Sequence, residues 1–466
     1  MSISTEQLDE LAAAIAGAVT TGEDAVREAS ADGSPRSKKA VAAGAPLHVA
    51  DAVASPQDTA DVVRIVQWAN KHSIPLVARG GGSGVVGSGW PVRGGVVVDV
   101  SGLNSIEGID EVNHLVTVGA GVIGSELEKV LEPHGLAVGH YPQSFSLASV
   151  AGWVTMRGSG TFSSLYGNIE ERLADLEVVL PDGTVLQTQS VPRASQGPDL
   201  KQLFIGSEGT LGIITKVTLR LVPRPDSRIF SSFLFDTFEA ALETSRRLLA
   251  GGVRPAVLRI YDPIESKAKH ASFSDRDGWM MILAFDGHHQ LTAVQADIAH
   301  GTARALGGES LGAEPGVHWE QRRFDWSWFT DNVSVEGGIA EAIELTTTWS
   351  RLPELYAAVT AAAAKSMPVV MGHVSHVYDQ GASLYVISSG RFGTDTAAME
   401  AYDQLWADVM QAALEQDARI SHHHGIGVER APWLPDAVGE AGMSTLRAIK
   451  DALDPAGVMN PGKLGL

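Results

Sequence analysis

Three stretches dominated by glycine, serine and alanine constrain this chain more than any other feature. They are "ARGGGSGVVGSGW" (78–90), "YPQSFSLASVAGWVTMRGSGTFSSLYGNI" (141–169) and "FIGSEGTLGIIT" (204–215). Segments this poor in large apolar side chains cannot build a core of their own. They are useful where backbone must come close to a flat, polar partner. The run Arg79-Gly80-Gly81-Gly82-Ser83-Gly84 lets successive N–H groups point the same way, an arrangement that binds anions. An ordinary flexible loop is the competing reading. Gly82, Gly84 and Gly87 formally satisfy G-x-G-x-x-G. A dinucleotide fold of the Rossmann type would open a helix at the last glycine, whereas here Trp90-Pro91 follow and then a strand, "GGVVVDV" (94–100).

The rest of the pattern predicts an α+β chain. Val62, Val63, Ile65, Val66 and Ala69 recur at helical spacing over 57–72, and a helix over 124–135 ends at Pro133 and Gly135. "HLVTVGAG" (114–121) reads as a strand. "LADLEVVLPDGTVLQT" (173–188) reads as a hairpin turning at Pro-Asp-Gly. From about residue 226, alternating strands interleave with Ala-rich helices, as in an antiparallel sheet covered by helices. The division expected is an N-terminal helical segment (1–44), a cofactor domain (45–225), a cap or substrate domain (226–415), and a C-terminal segment (416–466) returning to the first domain.

Composition narrows the function. With 466 residues the chain suits two interlocked domains. Its net charge of −20 argues against nucleic-acid binding, and no apolar run is long enough for a membrane span. The acidic N-terminus is unlike a secretory signal, so a cytoplasmic protein is expected. The absence of cysteine removes disulfides, thiolate metal sites and a cysteinyl cofactor link.

Taken in order, "PLVARGGGSGVVG", "SLASVAGWVTMRGSGTFSSLYGNIEERL", "GSEGTLGIIT" and "LDPAGVMNPGKL" resemble the vanillyl-alcohol-oxidase-like (PCMH-type) FAD flavoproteins across nearly the whole chain. The resemblance implies a two-domain PCMH-type FAD-binding fold with an antiparallel-sheet cap. It implies FAD contacts from Val77, Arg79, Gly80, Gly81, Gly82, Ser83 and Gly84 in the first motif. Pro142, Ser144, Ser146, Ser149, Gly152, Arg157, Ser159, Gly160 and Tyr166 follow from the second, Glu208, Gly209, Gly212, Ile213 and Ile214 from the third, and Asn460 from the last. Several relatives attach flavin through a histidine of the glycine loop. Ser83 stands there in this chain, which favours noncovalent FAD.

Within the family, "SHHHGIG" (421–427), "VLRIYD" (257–262) and "GASLY" (381–385) are similar to motifs of the alkyl-dihydroxyacetonephosphate synthases. That likeness nominates Arg259, Tyr385 and the run His422, His423 and His424 as catalytic. One position departs: the synthases' catalytic cap arginine falls on Thr330, counting against the same transferase or lyase chemistry. An extended run of three histidines would split them between two faces. A metal would then need donors from elsewhere, such as His373 and His376, and the 2-hydroxy-acid dehydrogenase pattern around them is not kept. No metal is expected. Histidine is suited to acid–base work near neutral pH, with His423 or His424 the favoured base. Arg259 suits a carboxylate or phosphate, or else a salt bridge to Asp262 or Glu265. "WEQRRFDWSWF" (319–329) is expected to contribute in part to a substrate pocket. The expectation is an FAD-dependent oxidoreductase that oxidises a C–H bond beside oxygen or nitrogen in a small anionic substrate. The electron acceptor, oxygen or another, stays open, as does homodimerisation.

Overall fold

The structure, a computed structural model, describes residues 3–466. The chain divides into two compact units. One comprises residues up to Gly158, Asn168–Val222 and His423–Leu466; the other comprises Ser159–Gly167 and Pro223–His422. No helix among the described residues is long and apolar enough to cross a membrane.

The first unit holds a four-stranded and a five-stranded sheet. In the four-stranded sheet, Ala52–Ser55, Val96–Asp99 and Leu76–Arg79 run parallel, and Ala18–Thr20 adds an antiparallel edge. The central strands read as unbroken apolar runs because both faces are covered. The five-stranded sheet is antiparallel and contains the hairpin Leu173–Val179/Val185–Gln187, whose turn places Gly183 at φ +86°. The helix Thr59–His72 is capped by Asp58, which accepts from Asp61 N, and stops at Ser73 in the left-handed region. The glycine loop leaves the strand Leu76–Arg79, and no helix follows it before the next strand, as the Trp-Pro pair predicts.

The C-terminal segment is built into this unit. Met459 bridges to Leu76, and Asn460 N donates to the Leu76 carbonyl, beside the strand that feeds the glycine loop. Buried Lys450 fixes that segment, donating to Asp454 (2.5 Å), the Thr210 carbonyl (2.8 Å) and the Met459 carbonyl (2.6 Å). Asp454 in turn accepts from Val458 N and Met459 N.

The second unit is a seven-stranded antiparallel sheet. Its order is Glu309–Gly312, Ser227–Phe235, Trp279–Gly287, Val257–Tyr261, Val369–Val377, Gly381–Arg391, Gly338–Thr348. One face carries Leu258, Ile260, Val374, Leu384, Val386, Ile343 and Leu345, all buried, and packs on long helices that include Leu352–Ala363 and Asp395–Glu415. Residues of the opposite parity carry Arg259, Tyr261, His373, Ser375, Ser383, Tyr385, Glu344 and Thr346. A largely buried sheet face this polar departs from ordinary core composition.

Replacing Lys450 with methionine removes one partner of a buried ion pair and leaves two carbonyls short of a donor. A loss of about 3–5 kcal/mol in unfolding free energy is expected by chemical denaturation; a loss below about 1 kcal/mol would show that Lys450 does not fix the C-terminal segment.

Candidate active site

In the first unit the glycine loop lies against the residues that precede the helix Val150–Thr155. A Cβ on Gly80 would overlap the Ser149 hydroxyl, and one on Gly81 the Leu147 carbonyl oxygen. Ser149 is the N-cap of that helix and accepts from Gly152 N. Pro142, Ser144 and Ser146 form the turn before it, where the Ser144 carbonyl accepts from Leu147 N and Ala148 N; Ser146 is exposed. Gly82 has φ +64°, and the Arg79 guanidinium folds over it. Arg79 Nη1 is buried without a hydrogen-bond partner, and so is Asn460 Oδ1. Buried polar groups are normally paired, so a loop that ends on an unmatched guanidinium fits the pyrophosphate of FAD. Ser83 and Gly84 continue the loop, the Gly84 carbonyl accepting from Gly33 N (2.7 Å). Val77, Ile213 and Ile214 bury their side chains in the core. Arg157 is exposed at φ +52° and pairs with Glu170.

Glu208 lies against the C-terminal segment. Its carboxylate accepts from Ile426 N (2.7 Å) and Gly427 N (2.8 Å), just past the histidine run. A Cβ on Gly425 would come within 2.9 Å of Glu208 Oε1, and Gly425 and Gly427 both have positive φ. Burial pushes the Glu208 carboxyl up to about 7, against the opposing pull of those two N–H donors and of Lys463 and Arg430. Gly209 (φ +73°) and Gly212 (φ +153°) carry the chain onward, and a Cβ on Gly212 would meet the Val179 carbonyl. Asn460 Nδ2 donates to the Glu208 carbonyl (2.5 Å) and the Ser88 carbonyl (2.9 Å).

Ser159, Gly160 and Tyr166 lie in the second unit, with the cap sheet. Tyr166 donates to Asp286 (3.0 Å). On the polar face, sheet register aligns Tyr261, His373, Tyr385 and Glu344 in one cross-strand row. Arg259 sits two residues from Tyr261 on the same face. Its Nε donates to Tyr261 Oη (2.8 Å), one Nη to Ser375 Oγ (2.9 Å) and the other to His373 Nε2 (2.7 Å). His373 Nε2 is therefore the acceptor, and Nδ1 carries the proton that goes to Glu265 (2.8 Å). Burial, aided by Arg259, pushes His373 down to about 4, so it is neutral near pH 7. Burial alone would raise Glu265, but His373 and Lys269 (2.5 Å) outweigh it and keep the carboxylate ionised. The salt bridge anticipated between Arg259 and Asp262 or Glu265 is not formed directly: Glu265 reaches it through His373, and Asp262 caps the helix Pro263–His270 instead.

The histidine run is a bent loop, not a strand, so the two-face alternation expected of it does not apply. His422 belongs to the second unit, its Nε2 2.7 Å from Tyr378 Oη, and its backbone N donates to Glu344, which also accepts from Ser421. His423 and His424 belong to the first unit and face each other edge to ring at 4.5 Å. Thr330 sits on the helix Ser327–Val333 and donates to that helix's own carbonyls. Trp319, from the aromatic stretch, lies within 5.8 Å of the Arg259 guanidinium. Glu265, Glu344, Tyr261, Ser375 and Tyr378 are absent from the motif-based set. For Tyr261 and Ser375 the signal is a period of two, R-x-Y and H-x-S inside otherwise apolar strands; Glu265, Glu344 and Tyr378 have no such sign.

Because burial raises the Glu208 carboxyl, its stability contribution is present below about pH 4.5 and is lost as pH rises through about 7. Glu208→Gln should abolish that dependence. Its melting temperature should rise relative to the parent between pH 5 and 8, by at most roughly 3 kcal/mol in stability. Parallel curves across that range would show that Glu208 does not titrate there. Gly81→Val should strip flavin from the purified protein, read as a loss of absorbance near the flavin maximum.

The family models "FAD binding domain" and "FAD linked oxidases, C-terminal domain" match residues 50–189 and 224–464. The chain is 30% identical over 438 residues to an Escherichia coli K12 protein described as an uncharacterized FAD-linked oxidoreductase, YgcU, covering 90% of this chain and 89% of that one. It is 28% identical over 450 residues to alkyldihydroxyacetonephosphate synthase of Trypanosoma brucei brucei, covering 89% of this chain and 73% of the relative. The solved structure of p-cresol methylhydroxylase with substrate bound superposes with a TM-score of 0.79 at 18% identity, over 99% of this chain and 96% of that one, and so shares the PCMH-type fold. The chain belongs to the FAD-linked oxidase family and is an FAD-dependent oxidoreductase.

Proposed function

We propose that this enzyme oxidises a C–H bond next to oxygen or nitrogen in a small organic anion, using noncovalently held FAD. The observation that carries the reading is Arg259. It is partly accessible, held by three neutral partners, and no carboxylate among the described residues pairs with it directly. Three of its five N–H groups are occupied, and the two that remain suit a carboxylate or phosphate fork. When bound, FAD supplies the acceptor for a hydride. Tyr385, whose ring lies 4.6 Å from His373 and nearly parallel to it, is the candidate for holding the substrate's oxygen. The proton leaving that oxygen or nitrogen is handled by the histidine–tyrosine set, in which His422, His423 and His424 are the candidates the motifs nominate.

The synthase-like transferase or lyase alternative has less support here. Thr330 supplies no charge and spends its hydroxyl on its own helix.

The test is the visible spectrum of the purified protein, repeated on the supernatant after acid precipitation, then anaerobic addition of hydroxy acids, amino acids and ethers. Soluble flavin that is bleached by one anionic class supports the reading; flavin left in the pellet refutes noncovalent binding, and no bleaching by any anion refutes the substrate class. Arg259→Met should raise KM for the acid roughly 100-fold, the scale for losing one partner of a charge pair, while a neutral analogue of the same substrate changes less than about 3-fold. Equal losses for both would assign Arg259 a structural role only.

A further inference from the structure

The N-terminal segment lies outside the residues matched by the FAD-binding family model, yet it closes on the glycine loop. Ser34 caps the helix Pro35–Ala42, its hydroxyl accepting from Ser37 N (3.2 Å). Asp32, just ahead of that cap, divides its carboxylate between two tasks. Oδ1 accepts from Ser34 N (3.1 Å) and from the Ser34 hydroxyl (2.7 Å), which fixes the side chain. Oδ2 accepts from Gly87 N (2.9 Å) in the glycine loop. Beside it, Gly33 N donates to the Gly84 carbonyl (2.7 Å), and a Cβ on Gly33 would come within 3.1 Å of that oxygen.

The C-terminal segment holds the same loop. Val428 N (2.9 Å) and Glu429 N (3.1 Å) both donate to the Val86 carbonyl, and a Cβ on Gly427 would overlap that oxygen. Arg36 ties the two holders together, its Nε donating to Glu429 Oε1 (2.7 Å). All of these groups belong to the first unit. The loop is therefore gripped by the carbonyls of Gly84 and Val86 and by the N–H of Gly87. The N–H groups from Gly81 to Val86 have no hydrogen-bond partner among the described residues. A loop held through its carbonyls, with a run of N–H groups left over, is set in advance for an anion. Fixing it before binding removes part of the ordering cost.

We infer that Asp32 is a positioning residue of the cofactor site, through which the N-terminal segment sets the glycine loop for the pyrophosphate of FAD. Asp32 acts through Gly87. The inference rests on the reading of that loop as the pyrophosphate site.

The test uses the full-length flavin-bound protein with Asp32→Ala, Asp32→Asn and, as a control for general loosening, Asp58→Ala, which removes the cap of the helix Thr59–His72. Flavin release is followed as the fluorescence that rises on dilution. Asp32→Ala should speed release at least roughly 10-fold, the scale of one hydrogen bond to a charged group, and Asp58→Ala less than about 3-fold. Asp32→Asn, whose amide oxygen still accepts from Gly87 N, should return release to within about 3-fold of the parent. Amide hydrogen exchange reads the loop itself: a peptide covering 80–90 should exchange faster in Asp32→Ala and not in Asp58→Ala. Release from Asp32→Ala equal to the parent's, equal acceleration in both alanine variants, or an asparagine variant as leaky as the alanine one overturns the inference. The exchange data then say which premise failed. Faster exchange with unchanged release means that Asp32 fixes the loop and the pyrophosphate reading falls; unchanged exchange leaves that reading standing and removes Asp32 from it.

Discussion

A guanidinium held only by neutral groups sets the character of the cap. Arg259 bonds to a phenol, a hydroxyl and an imidazole, and the Glu265 carboxylate is committed to Lys269 and to the far side of His373. A charged group in such surroundings is stabilised by whatever anion arrives. The chain as a whole carries a net charge of −20, so a half-buried arginine with no carboxylate partner among the described residues is not a by-product of composition. The row Tyr261, His373, Tyr385 and Glu344 exists because four antiparallel strands keep one register, and a slip of one residue would turn each of those side chains into the helix-packed face.

The cofactor unit works by a complementary device. There the backbone does the work, with Gly80 and Gly81 pressed so closely on residues 147–149 that no Cβ fits. Arg79 and Asn460 are left with buried polar atoms that the protein does not match. Glu208 and Lys450 then tie the C-terminal segment into that unit, and with it the loop bearing His423 and His424.

Much of this was legible in the chain alone. The glycine loop, the Pro-Asp-Gly hairpin and the helix 59–72 follow from local rules of turn chemistry and periodicity. Arg259 and Tyr385 could be nominated from their motifs. Their shared neighbourhood could not, because it depends on pairing between strands more than a hundred residues apart in sequence. The bulge at His376 is hidden for a similar reason: it is a property of two strands' registers, and "GHVSHV" has no local sign of it. The histidine run departs from the alternation of an extended strand because hydrogen bonds from Ser421 and His422 to Glu344 and from Ile426 and Gly427 to Glu208 bend it.

We propose the Arg259 cluster as an anion site serving flavin-dependent oxidation. The most direct measurement is anaerobic stopped-flow reduction of the bound flavin by a substrate acid beside its methyl ester or amide. The account predicts rapid bleaching by the acid and reduction slower by about two orders of magnitude with the neutral form at equal concentration, a difference of the size expected for one desolvated charge pair. Equal rates for the charged and neutral forms would contradict it.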